Sequence, residues 1–148
     1  MELNCTLEAA TPADLLAVRT LLEGSALPTE GLIDQFPDAY VLAWAGPNLV
    51  GAAGLEVHER AGLLRSVAVA EAVRGSGVGA RLVRDRLQRA RAIGLARVFL
   101  LTTTAAGYFQ RLGFSPVDRS AVPAELAKAP EFSRICPESA VCLAAPTA

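Results

Sequence analysis

Three glycines open a long amphipathic segment directly after an apolar run, at Arg74-Gly75-Ser76-Gly77-Val78-Gly79. Glycine lets a backbone approach a ligand closely because it has no Cβ. The first free N–H groups of a helix carry about half a positive charge from the helix dipole. Such a junction favours phosphate oxygens, and Arg74 adds a cation beside it. The pattern therefore predicts a strand, a short loop and a helix that together bind an anion.

The elements around this loop predict a mixed α/β sheet. Three strand-like runs precede it, at residues 40–45, 49–58 and 63–69, and the turns between them are short. Short connections join antiparallel neighbours. After the loop, residues 78–93 carry apolar side chains at helical spacing and residues 97–101 form an apolar strand. A strand–helix–strand unit of this length predicts a parallel pair.

Further elements at both ends extend this pattern to a single domain over residues 1–148. We expect a strand at 3–8, a helix from 11–14 to Gly24, a loop with one helical turn at 25–35, a helix at 105–112, strands at 114–117 and 139–144, and an irregular excursion at 120–134. The prediction is about six to seven strands with helices on both faces. The excursion is rich in alanine and proline, which fits a lid and a homodimer contact equally well.

Composition excludes several classes of protein. The 148 residues are 52% hydrophobic and 20% charged, which excludes a disordered chain. The net charge of −1 gives no general attraction to nucleic acid or to an anionic membrane. No apolar run approaches the ~18 residues of a membrane span, and the N-terminus does not resemble a signal peptide. We therefore expect a cytoplasmic protein.

Cysteine and histidine usage predicts no metal site. The three cysteines and one histidine lack metal-ligand spacing. Cys136 and Cys142 are the only cysteines close in sequence, and we interpret them as buried apolar residues. A redox or soft-metal pair is the alternative.

The residues of the glycine loop alone leave several interpretations open. A tight turn that lets a helix pack on a sheet is the simplest. Gly75-x-Gly77-x-x-Ala80 also matches a dinucleotide fingerprint. That fingerprint requires an acidic residue after the next strand, where this chain has Thr102-Thr103-Thr104. A P-loop is excluded because no Gly-Lys-Ser/Thr follows.

Two segments resemble the signatures of the GNAT family of N-acetyltransferases. Val67-Ala68-Val69 with the following Arg74–Ala80 is similar to the family's Arg/Gln-x-x-Gly-x-Gly/Ala motif and its preceding strand. Tyr108-Phe109-Gln110-Arg111-Leu112-Gly113-Phe114 is similar to its second signature. The resemblance implies the GNAT fold, acetyl-CoA as the cofactor and transfer of an acetyl group to a primary amine of a small molecule by direct attack.

Three shorter segments resemble a GNAT subgroup found with arsenic-resistance genes. They are Leu63-Leu64-Arg65-Ser66, Leu100-Leu101-Thr102-Thr103-Thr104 and Cys136-Pro137-x-Ser139-Ala140. This narrower resemblance implies an amino acid or an arsenic-containing amino acid analogue as the acceptor.

The resemblance also implies which residues bind the cofactor. They are Val67, Ala68 and Val69 in the strand, Arg74, Gly75, Ser76, Gly77, Val78, Gly79 and Ala80 in the loop and helix start, and Thr103, Thr104, Phe109 and Arg111 after the next strand. The amides of Val67 and Val69 would pair with the pantetheine arm, and the loop amides would hold the pyrophosphate. A solvated surface charge is the alternative for Arg111.

Glu56 is the candidate general base for the amine. Strand alternation places Glu56 and His58 on one face, and burial of a carboxylate raises its pKa. His58 is the second candidate, or a substrate contact, although its place beside a turn predicts exposure. Arg65 lies inside the next strand and needs a partner there. We expect that partner to be Glu56, or an acidic part of the substrate.

The general acid is where the chain departs from the family pattern. Many members carry tyrosine where this chain has Phe109, and the hydroxyl lies one residue earlier, on Tyr108. One helical step rotates a side chain by about 100°, so Tyr108 would reach the thiolate by a different path. Core packing is the alternative for Tyr108. A non-catalytic acyl-CoA-binding regulatory domain is the main alternative function, and a Rossmann-type reductase is a third.

Overall fold

The structure is a computed structural model that describes residues 4–132 and 139–147. Its described residues form seven strands in one sheet: β1 (Thr6–Ala9), β2 (Tyr40–Ala45), β3 (Asn48–His58), β4 (Ala61–Val69), β5 (Arg97–Thr102), β6 (Ser115–Pro116) and β7 (Val141–Pro146). The strand order is β1-β2-β3-β4-β5-β7-β6. β4 and β5 are parallel, whereas β2 and β3 are antiparallel. The predicted mixed sheet with an antiparallel meander and one parallel pair is therefore confirmed.

Five α-helices lie between the strands in the described part of the chain. They are α1 (Leu15–Gly24), α2 (Leu32–Gln35), α3 (Val78–Ala92), α4 (Ala106–Arg111) and α5 (Ala124–Ala127). A 3₁₀ turn at Pro12–Asp14 leads into α1, and the Asp14 carboxylate accepts a hydrogen bond from the Thr11 backbone N–H at 2.9 Å. The longest of these helices, α3, has 15 residues. None combines the length and the apolar character that a bilayer crossing requires.

The described chain divides into two compact units. The first unit contains the residues up to 55 together with 66–86, and the second contains 56–65 together with the residues from 87 onward. The boundaries pass through β3 and β4 between residues 55 and 56 and between residues 65 and 66. That all of these residues fold as one domain stays a prediction.

In the first unit, helices pack on both faces of β2. Val18 and Leu22 of α1 pack with Tyr40 and Leu42. Val41 and Ala43 of β2 face the other way and pack with Val78 and Leu82 of α3. Because alternate strand residues point to opposite faces, β2 is buried on both sides. The predicted two-sided arrangement of helices is confirmed here.

In the second unit, the core joins β4, β5 and β7 to the chain around α5. Leu63 and Phe99 are fully buried there, next to Cys142, Leu126 and Ala129. The predicted excursion at 120–134 thus contributes apolar side chains to the core. Residues 133 and 134 of it lie outside the described residues.

Two glycines of β3 allow close packing in the first unit. A Cβ at Gly51 would lie 2.7 Å from Leu82 Cδ1, so the absence of a side chain brings α3 close to the strand. A Cβ at Gly54 would lie 2.8 Å from Cζ of Tyr40, its cross-strand partner. Gly51 thereby places the start of α3, and with it the glycine loop, against the sheet.

Several predicted boundaries were wrong by a few residues. The strand predicted at 114–117 is reduced to Ser115–Pro116, although the Val117 N–H still donates to the Cys142 carbonyl oxygen at 2.9 Å. The closing strand begins two residues later than residue 139 and ends at Pro146. The first strand starts at Thr6, and residue 3 lies outside the described residues.

Replacement of Gly54 by alanine tests the close approach of Tyr40. The ring is buried and its hydroxyl is hydrogen-bonded, so it cannot move aside without loss. We expect Gly54→Ala to lower the free energy of unfolding by about 1–3 kcal/mol, as overpacking does. Urea denaturation followed by circular dichroism measures it.

Gly24→Ala is the matched control, because a Cβ there meets nothing within 4 Å. Equal stabilities of the two alanine variants would show that the Tyr40 ring does not constrain β3.

Candidate active site

The glycine loop connects β4 to α3 as predicted, with a 3₁₀ turn at Glu71–Val73 before it. Gly75 and Gly77 have φ of +83° and +90°, a region that residues with a Cβ rarely adopt. A Cβ at either position would meet nothing within 4 Å, so the loop has open space beside it. The glycines are therefore required by backbone conformation, and the start of α3 stays accessible to a ligand.

Arg74 is anchored beside the end of β4. Its Nε donates to the Val69 carbonyl oxygen at 3.1 Å. Among the described residues, no partner engages the two Nη groups, so both can donate to an anion. Ser76, in contrast, uses its hydroxyl in a hydrogen bond to the Val73 carbonyl, which holds the loop together.

β4 changes its course before it reaches the loop. Its ladder with β5 pairs Ala61–Leu63 with Arg97–Phe99. Ser66 has φ of +56°, and its Oγ lies 3.0 Å from the Tyr40 hydroxyl. Val67, Ala68 and Val69 therefore follow an irregularity in the strand, which sequence periodicity does not reveal.

In the second unit, Glu56, Arg65 and His58 form a buried charged group. Oε2 of Glu56 accepts a hydrogen bond from Nη1 of Arg65 at 2.7 Å. Oε1 lies 2.9 Å from Nε2 of His58. Glu56 is 2% exposed and Arg65 is 8% exposed. The predicted pair between Glu56 and Arg65 across the hairpin is confirmed.

The expected pKa of Glu56 was wrong in sign. Burial does raise its pKa, but the hydrogen bonds from His58 and Arg65 and their charges together bring the pKa below the ordinary value. Two donors stabilise the charged form, which a sequence pattern does not show. Glu56 is therefore ionised at neutral pH.

The expected exposure of His58 is found in part. Its side chain is 23% exposed and bonded to Glu56. The hydrogen bond to Glu56 raises the pKa of His58 above its ordinary value, although burial opposes this. His58 is thus the member of this group that contacts solvent.

Glu131 joins the same group and was not predicted. Its Oε1 lies 3.4 Å from Nη1 of Arg65, and the residue is 5% exposed. Burial and the charge of Glu56 raise the pKa of Glu131. The one available signal was an acidic residue inside the apolar stretch Ala129-Pro130-Glu131-Phe132. Its contact with Arg65 spans 66 residues of sequence, which periodicity cannot show.

On α4, two aromatic side chains have different environments. The ring of Phe109 is buried and lies edge-on to Phe114, with centroids 5.8 Å apart. Phe109 therefore packs in the core, and its contact with a cofactor stays a prediction. Tyr108 is half-buried, and burial raises the pKa of its hydroxyl despite the charge of Arg111. The hydroxyl is protonated at neutral pH and can donate a proton.

The remaining predicted residues of the second unit are exposed. Thr103, Thr104 and Arg111 face solvent. Thr102 Oγ1 accepts a hydrogen bond from the Ala105 N–H at 3.0 Å, so this threonine orders the turn before α4. The structure brings Glu56, His58 and Arg65 together and places the glycine loop in the other unit.

Cys142 is buried, and burial raises the pKa of its thiol. This agrees with the interpretation of Cys142 as a buried apolar residue, whereas Cys136, the other member of the alternative redox or soft-metal pair, lies outside the described residues. Within residues 4–132 and 139–147, no group of three His, Cys, Asp or Glu side chains could hold a metal ion.

Removal of Arg65 tests the buried ion pair. Arg65→Met leaves Glu56 buried without its guanidinium, so we expect a loss of about 3–5 kcal/mol in the free energy of unfolding at neutral pH. The pKa of Glu56 is lower in the folded protein than in the unfolded chain. The ion pair therefore stabilises the folded protein fully at a pH above the unfolded pKa of Glu56, and this stabilisation is lost as pH falls through its folded pKa. The loss should therefore be full at neutral pH and shrink at about pH 3, below the ordinary pKa of a glutamate.

Arg60→Met is the matched control, because Arg60 is exposed in the turn before β4. Urea denaturation at both pH values measures the difference. A loss that is the same at both pH values, or the same in both variants, would contradict a buried charged pair.

The sequence is similar to those of known acetyltransferases. The model of the acetyltransferase (GNAT) family matches residues 13–114. An amino-acid acetyltransferase of Mycobacterium tuberculosis (strain ATCC 25618 / H37Rv) is 34% identical over 129 residues, which cover 83% of this chain and 67% of that protein. An amino-acid acetyltransferase of Salmonella arizonae is 36% identical over 78 residues, which cover 53% of this chain. The match covers 18% of the Salmonella protein, so the chain corresponds to a small part of that relative.

Solved structures show the same fold. N-acetylglutamate synthase from Neisseria gonorrhoeae, solved with coenzyme A and N-acetyl-glutamate, has a TM-score of 0.85 and 20% identity over 100% of this chain and 36% of its own. Rv2747 from Mycobacterium tuberculosis, solved in complex with CoA and NLQ, has a TM-score of 0.81 and 24% identity over 95% of this chain and 98% of its own. With the family model spanning residues 13–114 and the relative matched over most of both chains, this protein belongs to the GNAT family of acetyltransferases.

Proposed function

We propose that this chain is an acetyl-CoA-dependent N-acetyltransferase that acts on the α-amino group of an amino acid. The observation that carries the proposal is the glycine loop, with its left-handed Gly75 and Gly77 and the free start of α3. Membership of the GNAT family selects an acyl-CoA as the anion that this loop holds. The matched relatives are amino-acid acetyltransferases, which supports an amino acid as the acceptor.

In this proposal the loop holds the pyrophosphate of acetyl-CoA. Backbone N–H groups from Gly75 to Ala80 point at the phosphate oxygens, except that of Ser76, which donates to the Val73 carbonyl oxygen at 3.3 Å. Arg74 adds its Nη donors. The strand Val67–Val69 pairs with the pantetheine arm beyond the β4–β5 ladder. Contacts from Thr103, Thr104, Phe109 and Arg111 complete the set of proposed cofactor residues.

The chemistry is a direct attack of the acceptor nitrogen on the thioester carbonyl. The nitrogen loses one proton to a base, the C–S bond breaks and the thiolate of coenzyme A takes a proton. Glu56 is ionised and is the proposed first acceptor of the amine proton. The Val69 amide is the proposed donor to the tetrahedral oxyanion, and the protonated Tyr108 hydroxyl is the proposed acid for the thiolate.

Arg65 and His58 are the proposed determinants of the acceptor side. Arg65 is buried against Glu56 and Glu131, so it acts by holding Glu56 in place. His58 is partly exposed and can contact the acceptor directly. An arsenic-containing amino acid analogue is a narrower candidate acceptor, supported by the likeness of residues 63–66 and 100–104 to the arsenic-associated subgroup.

Catalysis is tested by thiol release from acetyl-CoA with a panel of amino acids, arsenic-bearing analogues and other small amines. Since general base catalysis contributes roughly 10²–10⁴-fold, we expect Glu56→Gln to reduce kcat/KM by that factor. Tyr108→Phe should reduce kcat in the same assay. Glu59→Gln is the control, because Glu59 is an exposed acid in the adjacent turn.

Full activity of Glu56→Gln would remove Glu56 from the mechanism. Binding of acetyl-CoA without thiol release from any amine would instead favour a regulatory acyl-CoA-binding domain.

Cofactor binding at the loop is tested by two glycines with the same φ. Gly77 and Gly94 both have φ of +90°, and they lie at the two ends of α3. Alanine at either position adds similar backbone strain, but only Gly77→Ala should weaken acetyl-CoA binding. Thermal shift measures it, since a ligand at 100 times its Kd stabilises by about 2.7 kcal/mol.

The wild type and Gly94→Ala should show the full thermal shift and Gly77→Ala a reduced one. A thermal shift with NADH rather than acetyl-CoA would point to a dinucleotide-binding protein and contradict the proposal.

A further inference from the structure

Glu131 is a buried carboxyl that the mechanism above does not use. It lies just after α5 and reaches the same Nη1 atom of Arg65 that Glu56 contacts. We propose that Glu56, His58 and Glu131 handle the amine proton as one group, in which His58 is its exit to solvent and Glu131 is a positioning residue whose charge strengthens proton binding at His58. The proposal rests on the proposed function and extends it to a proton path.

The surroundings of Glu131 leave its charge poorly compensated. Its contact with Arg65 Nη1 is 3.4 Å, whereas the contact of Glu56 with that atom is 2.7 Å. Oε2 of Glu131 is buried and has no hydrogen-bond partner in the described part of the chain. A buried carboxylate oxygen without a donor is costly, so the group favours a state in which a nearby proton offsets this charge.

The raised pKa of Glu131 shows that it can hold such a proton itself, and His58 is the second place for it and the one in contact with solvent. Its ring is bonded to Oε1 of Glu56 at 2.9 Å, and 23% of its side chain is exposed. Among the described residues, the charges that act on it are Glu56 from its own strand and Glu131 from the segment after α5, and both raise its pKa. Arg65 from β4 faces the two carboxylates. An imidazole near two acids binds a proton more tightly than one in water.

The geometry gives the amine proton a continuous route. The acceptor nitrogen gives it to Oε1 of Glu56, directly or through water, and Glu56 passes it across the 2.9 Å hydrogen bond to Nε2 of an imidazole protonated on Nδ1. His58 then releases its Nδ1 proton to solvent, which leaves the ring protonated on Nε2. Proton exchange or rotation of the ring restores the Nδ1 tautomer before the next turnover. Glu56 is ionised again at the end of the transfer. A carboxylate with a low pKa can therefore accept the proton first, because it does not have to retain it.

Because His58 is the only histidine of the 148 residues, its titration can be measured without ambiguity. We would follow its ring signals by NMR across pH in the wild type, in Glu131→Gln and in Glu125→Gln. Glu125 is the matched control, since it is an acid of α5 in the same segment and no contact with His58 involves it. Circular dichroism checks that each variant is folded.

We expect Glu131→Gln to weaken proton binding at His58 by roughly two- to threefold and Glu125→Gln to leave it unchanged. Glu56→Gln should weaken it as well, because its hydrogen bond is the first cause of the raised pKa. If Glu131→Gln titrates like the wild type, the proposal is overturned. This measurement needs no turnover, so it decides the point even if no amine is acetylated.

The pH dependence of kcat/KM then separates a role in proton transfer from a structural one. Weaker proton binding at His58 moves the acidic limb of the profile to lower pH in Glu131→Gln. A variant that is merely less stable loses activity without moving that limb, and such a result would overturn the role of Glu131 in catalysis.

Discussion

The buried ion pair between Glu56 and Arg65 constrains the second unit of the fold. Taking two charges out of water costs several kcal/mol for each, and only close geometry with further hydrogen bonds offsets that cost. Here the contact is 2.7 Å, and the second oxygen of Glu56 is bonded to His58. Glu56 in β3 and Arg65 in β4 have to lie on the same face of the sheet for this contact, because alternate residues of a strand point to opposite faces.

In the first unit, two glycines of β3 constrain the packing because they have no side chain. Gly51 lets α3 approach β3, and Gly54 accommodates the ring of Tyr40. The hydroxyl of Tyr40 reaches Ser66, where β4 takes its left-handed residue. The stretch that follows, Val67–Val69, leads into the glycine loop, so the contact between Tyr40 and Ser66 lies directly before the backbone that the proposed function assigns to the cofactor.

Local sequence patterns were sufficient to predict many of the strands and helices. Residues 40–45 match β2 to the residue, and the end of β4, the glycine loop and α3 were predicted within one residue of their bounds. These elements have strong periodicity and glycines in positions that only glycine fills well. The ends of the sheet were less predictable, since β6 is only two residues long and its extent depends on its pairing with β7.

The site was predicted in part. The pairing of Glu56 with Arg65 follows from a short hairpin and from the need of a buried charge for a partner. Other features of the site depend on distances across the fold, which no local pattern in one sequence shows. They are the ionised state of Glu56, its hydrogen bond to His58 and the contact of Glu131 with Arg65. Phe109 shows the same limit, since a family motif gave its position but not its packing against Phe114.

Direct identification of the product tests the central claim. The protein would be incubated with isotopically labelled acetyl-CoA and single amino acids, and the products analysed by mass spectrometry with fragmentation to locate the acetyl group. We predict label on the α-nitrogen of at least one amino acid, formed by the wild type and strongly reduced in Glu56→Gln. Absence of any labelled N-acetyl amino acid, in a protein that demonstrably binds acetyl-CoA, would contradict the account.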